Sequence, residues 1–388
     1  MKSLDSERLI IQPAEPRDVR LIVDLWNNPA IMQQVGFPNG LSVTTDDILP
    51  KLQKPSNKLL ERILAIRLKD QDTTIGHAMM HEPDEKGISE TDIKLLPEFQ
   101  GQRFGIEVKT VLIKHLFALN NCKAVQASPN LVNEASIRMQ ETTGGIRLGM
   151  GRCQFPEGWK IRTKPLNYWL YRHYREPAPY TDVRKRRFNY VAIVPAAGRS
   201  SRMKKFKPLL PWPPGKKTAF TVIESTLNSL LLAGCQRLCI AVDYRSSEIE
   251  KTLHDWPLTL ISKGNCSEPM SSSVRASVST FLNTLANNEE TDTAYVLLPG
   301  DHPHVSPDTI RSLIEHHEKS PGCIHIPVHA GRNGHPAIFP PETLESLLKP
   351  DSKLGLRALM DGSRVPVVRH GVKDAGVLKN LDYPEDYS

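Results

Sequence analysis

The chain has 388 residues, enough for two domains that each bury a core of their own. Its 39% hydrophobic and 24% charged content is that of folded globular protein, and no run nears the ~18 apolar residues of a membrane-spanning helix. A net charge of +7 suits an ordinary basic surface or anionic small substrates; no basic stripe interleaves with aromatics, so nucleic acid is not an expected partner.

The first six residues lack an apolar signal core, and the six cysteines form no Cys-x-x-Cys pair, so a cytoplasmic protein with reduced thiols is expected. A strand over 9–12 precedes a helix opened by Pro16-Arg17-Asp18, with Val19, Ile22, Val23 and Trp26 on one face. Further strands are expected over 63–68, 75–80 and 91–95. A helix follows over 106–119, then a strand over 124–127 and a helix from about Asn133. Pro177 and Pro179 then break any helix, and Arg184-Lys185-Arg186-Arg187 reads as a solvated run. These features make 177–188 a linker between domains over 1–176 and 189–388. Beyond it, strands over 191–194, 237–242, 259–261 and 294–298 alternate with helices from Thr221, Ser246, Ser272 and Ser306. That alternation predicts a doubly wound, Rossmann-like α/β sheet.

The strongest local signal is Pro195-Ala196-Ala197-Gly198-Arg199-Ser200-Ser201-Arg202-Met203, followed by Lys207-Pro208-Leu209. It leaves the first strand of the second domain, where an open α/β sheet receives its ligands. Small residues at Ala196, Ala197, Gly198 and Ser200 let backbone N–H groups approach phosphate oxygens, and Arg202 and Lys207 add positive charge for a triphosphate. The second signal is Leu298-Pro299-Gly300-Asp301-His302-Pro303. A carboxylate at the end of a buried strand needs a partner, and Asp301 is the expected ligand of Mg²⁺. Asn380-Leu381-Asp382 offers a second metal carboxylate in Asp382, with Asn380 competing. A helix cap by Pro384-Glu385-Asp386 is the plain alternative.

In this order the pieces resemble the nucleotidyltransferases that join CTP or GTP to molybdopterin, over essentially all of 190–388. The Ala-Ala-Gly opening and Gly334-His335-Pro336 are more similar to the cytidylyltransferase branch. The resemblance implies that Ser272 and Ser273 contact base and sugar, and that Gly334 and His335 lie near the acceptor. It also implies a molybdoenzyme or its maturation factor as partner. Two departures stand out: Lys204 where glycine is usual after Arg-Met, and Pro195, which is similar to the cytidylyltransferase of isoprenoid biosynthesis.

In the first domain, Leu95-Leu96-Pro97-Glu98-Phe99 runs into Gln100-Gly101-Gln102-Arg103-Phe104-Gly105 and straight into a helix. Such a turn offers backbone N–H groups and a helix dipole to a pyrophosphate. With Asn133-Glu134-Ala135-Ser136 further on, it resembles GNAT-type N-acetyltransferases, over about 8–174, which implies a mixed α/β fold. The resemblance implies that Gln100–Gly105 cradle the pyrophosphate of acetyl-CoA, with Asn133 and Ser136 along its pantetheine arm. Arg103 stands where that pattern usually has glycine. Glu90 is the candidate base for an amine acceptor, against the commoner fate of an exposed surface glutamate. The chain therefore reads as a bifunctional transferase. A sugar- or polyol-phosphate nucleotidyltransferase, and a sensor that binds nucleotide and CoA without turnover, are the alternatives.

Overall fold

Alternating apolar residues in the first half build one sheet and near-continuous apolar runs in the second build another. The computed structural model describes residues 3–53, 59–153, 166–200, 202–215, 220–262, 279, 292–340, 342–343 and 365–387. The chain divides into two units, Met1–Leu148 with Phe155–Pro179, and Gly149–Gln154 with Tyr180–Ser388.

The first unit opens with β1 (Leu4–Asp5), β2 (Leu9–Pro13), α1 (Val19–Asn27), α2 (Pro29–Met32) and α3 (Thr45–Leu52). Strands β3 (Leu64–Leu68), β4 (Thr74–Met80) and β5 (Ile88–Leu95) follow, then α4 (Phe104–Phe117) and β6 (Ala124–Ala127). Helix α5 (Glu134–Thr142), β7 (Ile146–Cys153), whose residues from Gly149 onward are counted with the second unit, and β8 (Leu166–Tyr174) complete a sheet of order β1-β2-β3-β4-β5-β6-β8-β7. Because successive strand residues alternate in facing, α4 packs Val108 and Leu112 with Ala78, Met80 and Leu95 on one face. Helices α1 and α3 pack Ile22, Ile48 and Leu52 on Ala65 of the other. Strands β5 and β6 are parallel and paired only from Ile88–Ala124 to Glu90–Gln126, whereas β5 runs on to Leu95. From Thr91 onward that edge of β5 is outside the β6 ladder.

The second unit contains β9 (Asn189–Pro195), β10 (Pro211–Trp212), β11 (Phe220–Thr221), α6 (Val222–Leu232), β12 (Arg237–Val242) and α7 (Ser246–Thr252). Then come β13 (Leu258–Ser262), β14 (Thr293–Leu297), α8 (Pro307–Lys319), β15 (Ile324–His329), β16 (Arg332–Asn333), β17 (Ala337–Phe339) and β18 (Val367–Gly371). The order is β13-β12-β9-β14-β17-β15-β16, with β18 on β15. Strands β13, β12, β9 and β14 are mutually parallel, but β17 joins β14 antiparallel, so the sheet is mixed. The first strand, β9, has β12 on one side and β14 on the other, which places a topological switch point at its carboxyl end.

In the basic run at 184–187, Arg184, Lys185 and Arg187 are exposed as expected, and Arg186 is the exception. The Arg186 side chain is fully buried, 3.7 Å from Glu315 and 5.7 Å from the centroid of Tyr190, because a buried carboxylate and an aromatic face replace its water. Arg184 pairs with Asp182 at 2.6 Å and Arg187 with Asp292 at 2.9 Å, while Thr181 N–H donates to Glu315 Oε1 at 2.8 Å. Among the described residues no helix is long and apolar enough to cross a membrane.

Candidate active site

Since β9 and β14 run parallel and pair from Asn189–Thr293 to Ile193–Leu297, the loops that leave their carboxyl ends emerge side by side. Gly300 N–H donates to Pro195 O at 3.0 Å. A Cβ on Gly300 would lie 2.7 Å from Ile223 Cδ1 and 3.2 Å from Ala196 Cβ, so a larger residue there would have to push the end of the Ile223 side chain aside. Leu381 N–H donates to Asp301 O at 3.2 Å and draws the C-terminal segment to the same place.

The side chains meet there. Lys207 Nζ lies 2.5 Å from Asp301 Oδ2 and 3.2 Å from Asp382 Oδ1. Arg202 Nη1 is 3.4 Å from Asp382 Oδ2, and Asn380 donates to that oxygen at 3.0 Å. Asp386 accepts from the N–H groups of Asp382 and Tyr383 at 2.9 and 2.8 Å, so the capping function falls to Asp386 and the Asp382 carboxylate faces Lys207. Burial pushes the Asp382 carboxyl up, but the hydrogen bond and charge of Lys207, with Asn380 and Arg202, hold it below the usual carboxylate range.

Within the loop, Ala196 is buried with its N–H on Ala241 O at 2.8 Å, whereas Gly198 is exposed and a Cβ there would meet nothing. Ser200 and Lys204 adopt left-handed backbone at φ 54° and 56°, and buried Met203 anchors the turn between them. Ser200 Oγ accepts from the Lys207 N–H at 3.3 Å. Ser272, Ser273 and the helix expected from Ser272 lie outside the described residues.

His302, which sequence reasoning missed, joins the cluster with Nε2 3.7 Å from Asp301 Oδ1 and its ring 4.9 Å from that of His335. Burial, then the neighbouring His335, pull its imidazole down to about 4 against the opposing charge of Asp301. The buried Nδ1 atoms of His302 and His335 have no hydrogen-bond partner among the described residues. Gly334 and His335 are pinned by N–H bonds to Pro327 O at 2.8 Å and Val377 O at 2.9 Å. Adjacency to Asp301 was the one signal that could have marked His302.

In the first unit, the turn 100–105 leads into α4 as expected. Gln100 and Gln102 fold back on Leu95 O and Glu98 O at 3.0 and 2.8 Å. Arg103, exposed at φ 65°, is the residue before α4, and no side chain caps the first turn, which leaves amides for an anion. Arg8 braces the turn through Gln102 O at 3.3 Å, Glu107 at 2.8 Å and the Phe104 ring at 4.2 Å. A Cβ on Gly105 would lie 3.3 Å from Met139 Sδ, so the helix start is held close to α5. Asn133 Oδ1 accepts from Ser136 N–H at 3.0 Å and so caps α5, with its amide 3.5 Å from Gln34 O.

Glu90 accepts from Gln126 at 2.7 Å, and Gln126 accepts from Arg172 at 2.9 Å, along a depression that His81, Glu82 and Asp84 also line. Two buried groups were not legible beforehand. Lys109 is wholly buried on α4 with Nζ on Thr91 Oγ1 at 2.7 Å, and burial pulls its ammonium down to about 7. His77 Nε2 accepts from Trp26 Nε1 at 2.7 Å, and burial, then Lys94, bring it to about 4. Among the described residues no group of three or more His, Cys, Asp or Glu could hold a metal ion.

In the first unit two parallel strands part beside an uncapped helix, and in the second the loop that leaves β9 faces two carboxylates. The family model of the acetyltransferase (GNAT) domain matches residues 8–146, and that of the MobA-like NTP transferase domain matches residues 192–369. The chain thus carries a GNAT acetyltransferase domain and a MobA-like NTP transferase domain. It is similar to the molybdenum cofactor cytidylyltransferase of Escherichia coli (strain K12), 26% identical over 197 residues, which span 50% of this chain and 92% of that protein. Among solved structures, a nucleotidyl transferase from Methanothermobacter thermautotroptrophicus is 25% identical, covering 51% of this chain and 94% of its own at TM-score 0.41. An acetyltransferase (GNAT family) from Bacillus anthracis is 19% identical, covering 45% and 98% at TM-score 0.38.

Proposed function

We propose that the second unit transfers a nucleotidyl group from CTP, or GTP, to the phosphate of molybdopterin and releases pyrophosphate. The observation that carries this reading is the convergence of Lys207, Arg202, Asp301 and Asp382 at the switch point beside the phosphate loop. Asp301 and Asp382 present two hard oxygens to one point, a donor set that suits Mg²⁺, which takes one or two carboxylates and fills its sphere with water and phosphate oxygens. Bound there, Mg²⁺ would supply charge neutralisation at the phosphates. Arg202 and Lys207 neutralise the triphosphate, and backbone N–H groups of 196–200 orient it. The acceptor phosphate is already ionised, so no protein nucleophile or base is needed, and positioning with electrostatics carries the rate. CTP and molybdopterin are favoured by the similarity to the cytidylyltransferase.

Pyrophosphate release measured with CTP and GTP, with and without molybdopterin, tests this. Asp301→Asn is expected to lose roughly 10²–10³-fold in turnover while the circular dichroism stays that of wild type. Wild-type pyrophosphate release by that variant would falsify the assignment.

The first unit is proposed to transfer acetyl from acetyl-CoA to an amine, supported by the uncapped first turn of α4 behind the turn 100–105. Calorimetric titration with acetyl-CoA, followed by CoA thiol release on addition of amines, checks it. Absence of any binding heat would sink this reading.

A further inference from the structure

Lys207 stands between the two carboxylates of the proposed metal site rather than away from them. Its Nζ is 2.5 Å from Asp301 Oδ2 and 3.2 Å from Asp382 Oδ1. All three backbones are pinned nearby. Lys207 N–H is held by Ser200 Oγ at 3.3 Å, with buried Pro208 behind it and Phe206 packed on Tyr244 at 5.7 Å. Asp301 O accepts from Leu381 N–H at 3.2 Å, and Asp382 N–H donates to Asp386 at 2.9 Å. The part of this cluster free to move is the four-carbon stem of the lysine.

We propose that the Lys207 ammonium is a resident counter-cation of Asp301 and Asp382, that a divalent ion displaces it, and that the displaced amine then serves the triphosphate. One side chain thereby couples the binding of metal and nucleotide. The idea rests on the reading of this unit as a metal-dependent nucleotidyltransferase. Two carboxylates aimed at one point repel each other, and a monovalent ammonium shared between them relieves that repulsion only in part. A divalent ion neutralises the pair better, but it must expel Nζ from hydrogen bonds with both oxygens. The expelled ammonium, tethered next to Ser200 and the phosphate loop, regains anionic partners only when a triphosphate is there. Divalent metal alone should therefore bind weakly, and metal with nucleotide strongly.

The test is Mn²⁺ binding to the full chain, followed by electron paramagnetic resonance without nucleotide and then with CTP. Lys207→Met should bind Mn²⁺ about 10-fold more tightly than wild type when nucleotide is absent. Lys207→Arg, which keeps the bridging charge if the methionine variant folds poorly, should match wild type. Arg202→Met removes an equal charge that reaches only Asp382, and should change the affinity by about 2-fold at most. Equal Mn²⁺ affinity in wild type and Lys207→Met would overturn the proposal, and so would an Arg202→Met gain as large as that of Lys207→Met. If Mn²⁺ also fails to bind in the presence of CTP, the metal-dependent reading falls and takes this inference with it. Equal affinities alongside CTP-dependent pyrophosphate release would remove the counter-cation idea alone.

Discussion

Lys204 and Arg103 hold left-handed backbone at φ 56° and 65°, each in a turn that precedes a phosphate-binding element of the proposed sites. An L-residue there costs about 1–2 kcal/mol. Glycine would relieve that strain but would add roughly 0.5–1 kcal/mol of unfolded-chain entropy. Replacing either by glycine should therefore leave the melting temperature unchanged or slightly higher. What the change removes is a cation: Arg103→Gly should weaken acetyl-CoA binding by about 10-fold if the exposed guanidinium meets a phosphate. A melting temperature several degrees lower in Arg103→Gly would contradict the left-handed assignment. Both residues stand where the resembled families carry glycine, so the unusual φ was legible as a departure from pattern. The contacts of Lys207 were not legible, because residues 94 and 175 positions away in the chain supply its partners.

Helix α6 begins at a reciprocal box in which Glu224 accepts from the Thr221 N–H at 2.8 Å and Thr221 Oγ1 accepts from the Glu224 N–H at 3.4 Å. Thr221→Ala should destabilise the second unit by about 1 kcal/mol, measurable as a lower urea midpoint at unchanged slope. A midpoint within error of wild type would mean the box contributes nothing. The start of α6, like Ser306 before α8, was readable because caps are local. The neighbour of β14 was not, since the antiparallel β17 reaches it only after α8 and β15 have passed. Gly334, ahead of β17, lies against the 375–378 segment: a Cβ there would sit 2.6 Å from Val377 O, a backbone atom, so either His335 or that segment must shift. Gly334→Ala should displace His335 and lower pyrophosphate release at least about 10-fold, since small misplacements near a reacting centre are costly. Wild-type turnover by Gly334→Ala would show that the 375–378 segment yields instead.

At the scale of the whole chain, the two units share a response to acid that neither motif announces. His77 and His173 in the first unit, and His302 and His317 in the second, are each pulled by burial from 6.5 to about 4. Sequence marks a histidine but not its burial, so this property emerges only with the packed cores. Between pH 6.5 and about 4 the unfolded chain binds protons at these rings that the folded chain excludes. Stability therefore rises with pH across that window, is fully present above 6.5, and is lost as the pH falls toward 4. A tenfold loss of proton affinity on folding corresponds to about 1.4 kcal/mol, and several such rings in one molecule compound the effect. Scanning calorimetry at pH 7.5 and 5.5 should show lower melting temperatures at the acidic pH. Replacing His77 and His302 by glutamine, which keeps a polar group but takes up no proton, should flatten the dependence. A melting temperature that is equal at both pH values would mean that water or a counter-charge reaches these rings, and that the burial of His302 beside Asp301 does not keep it neutral.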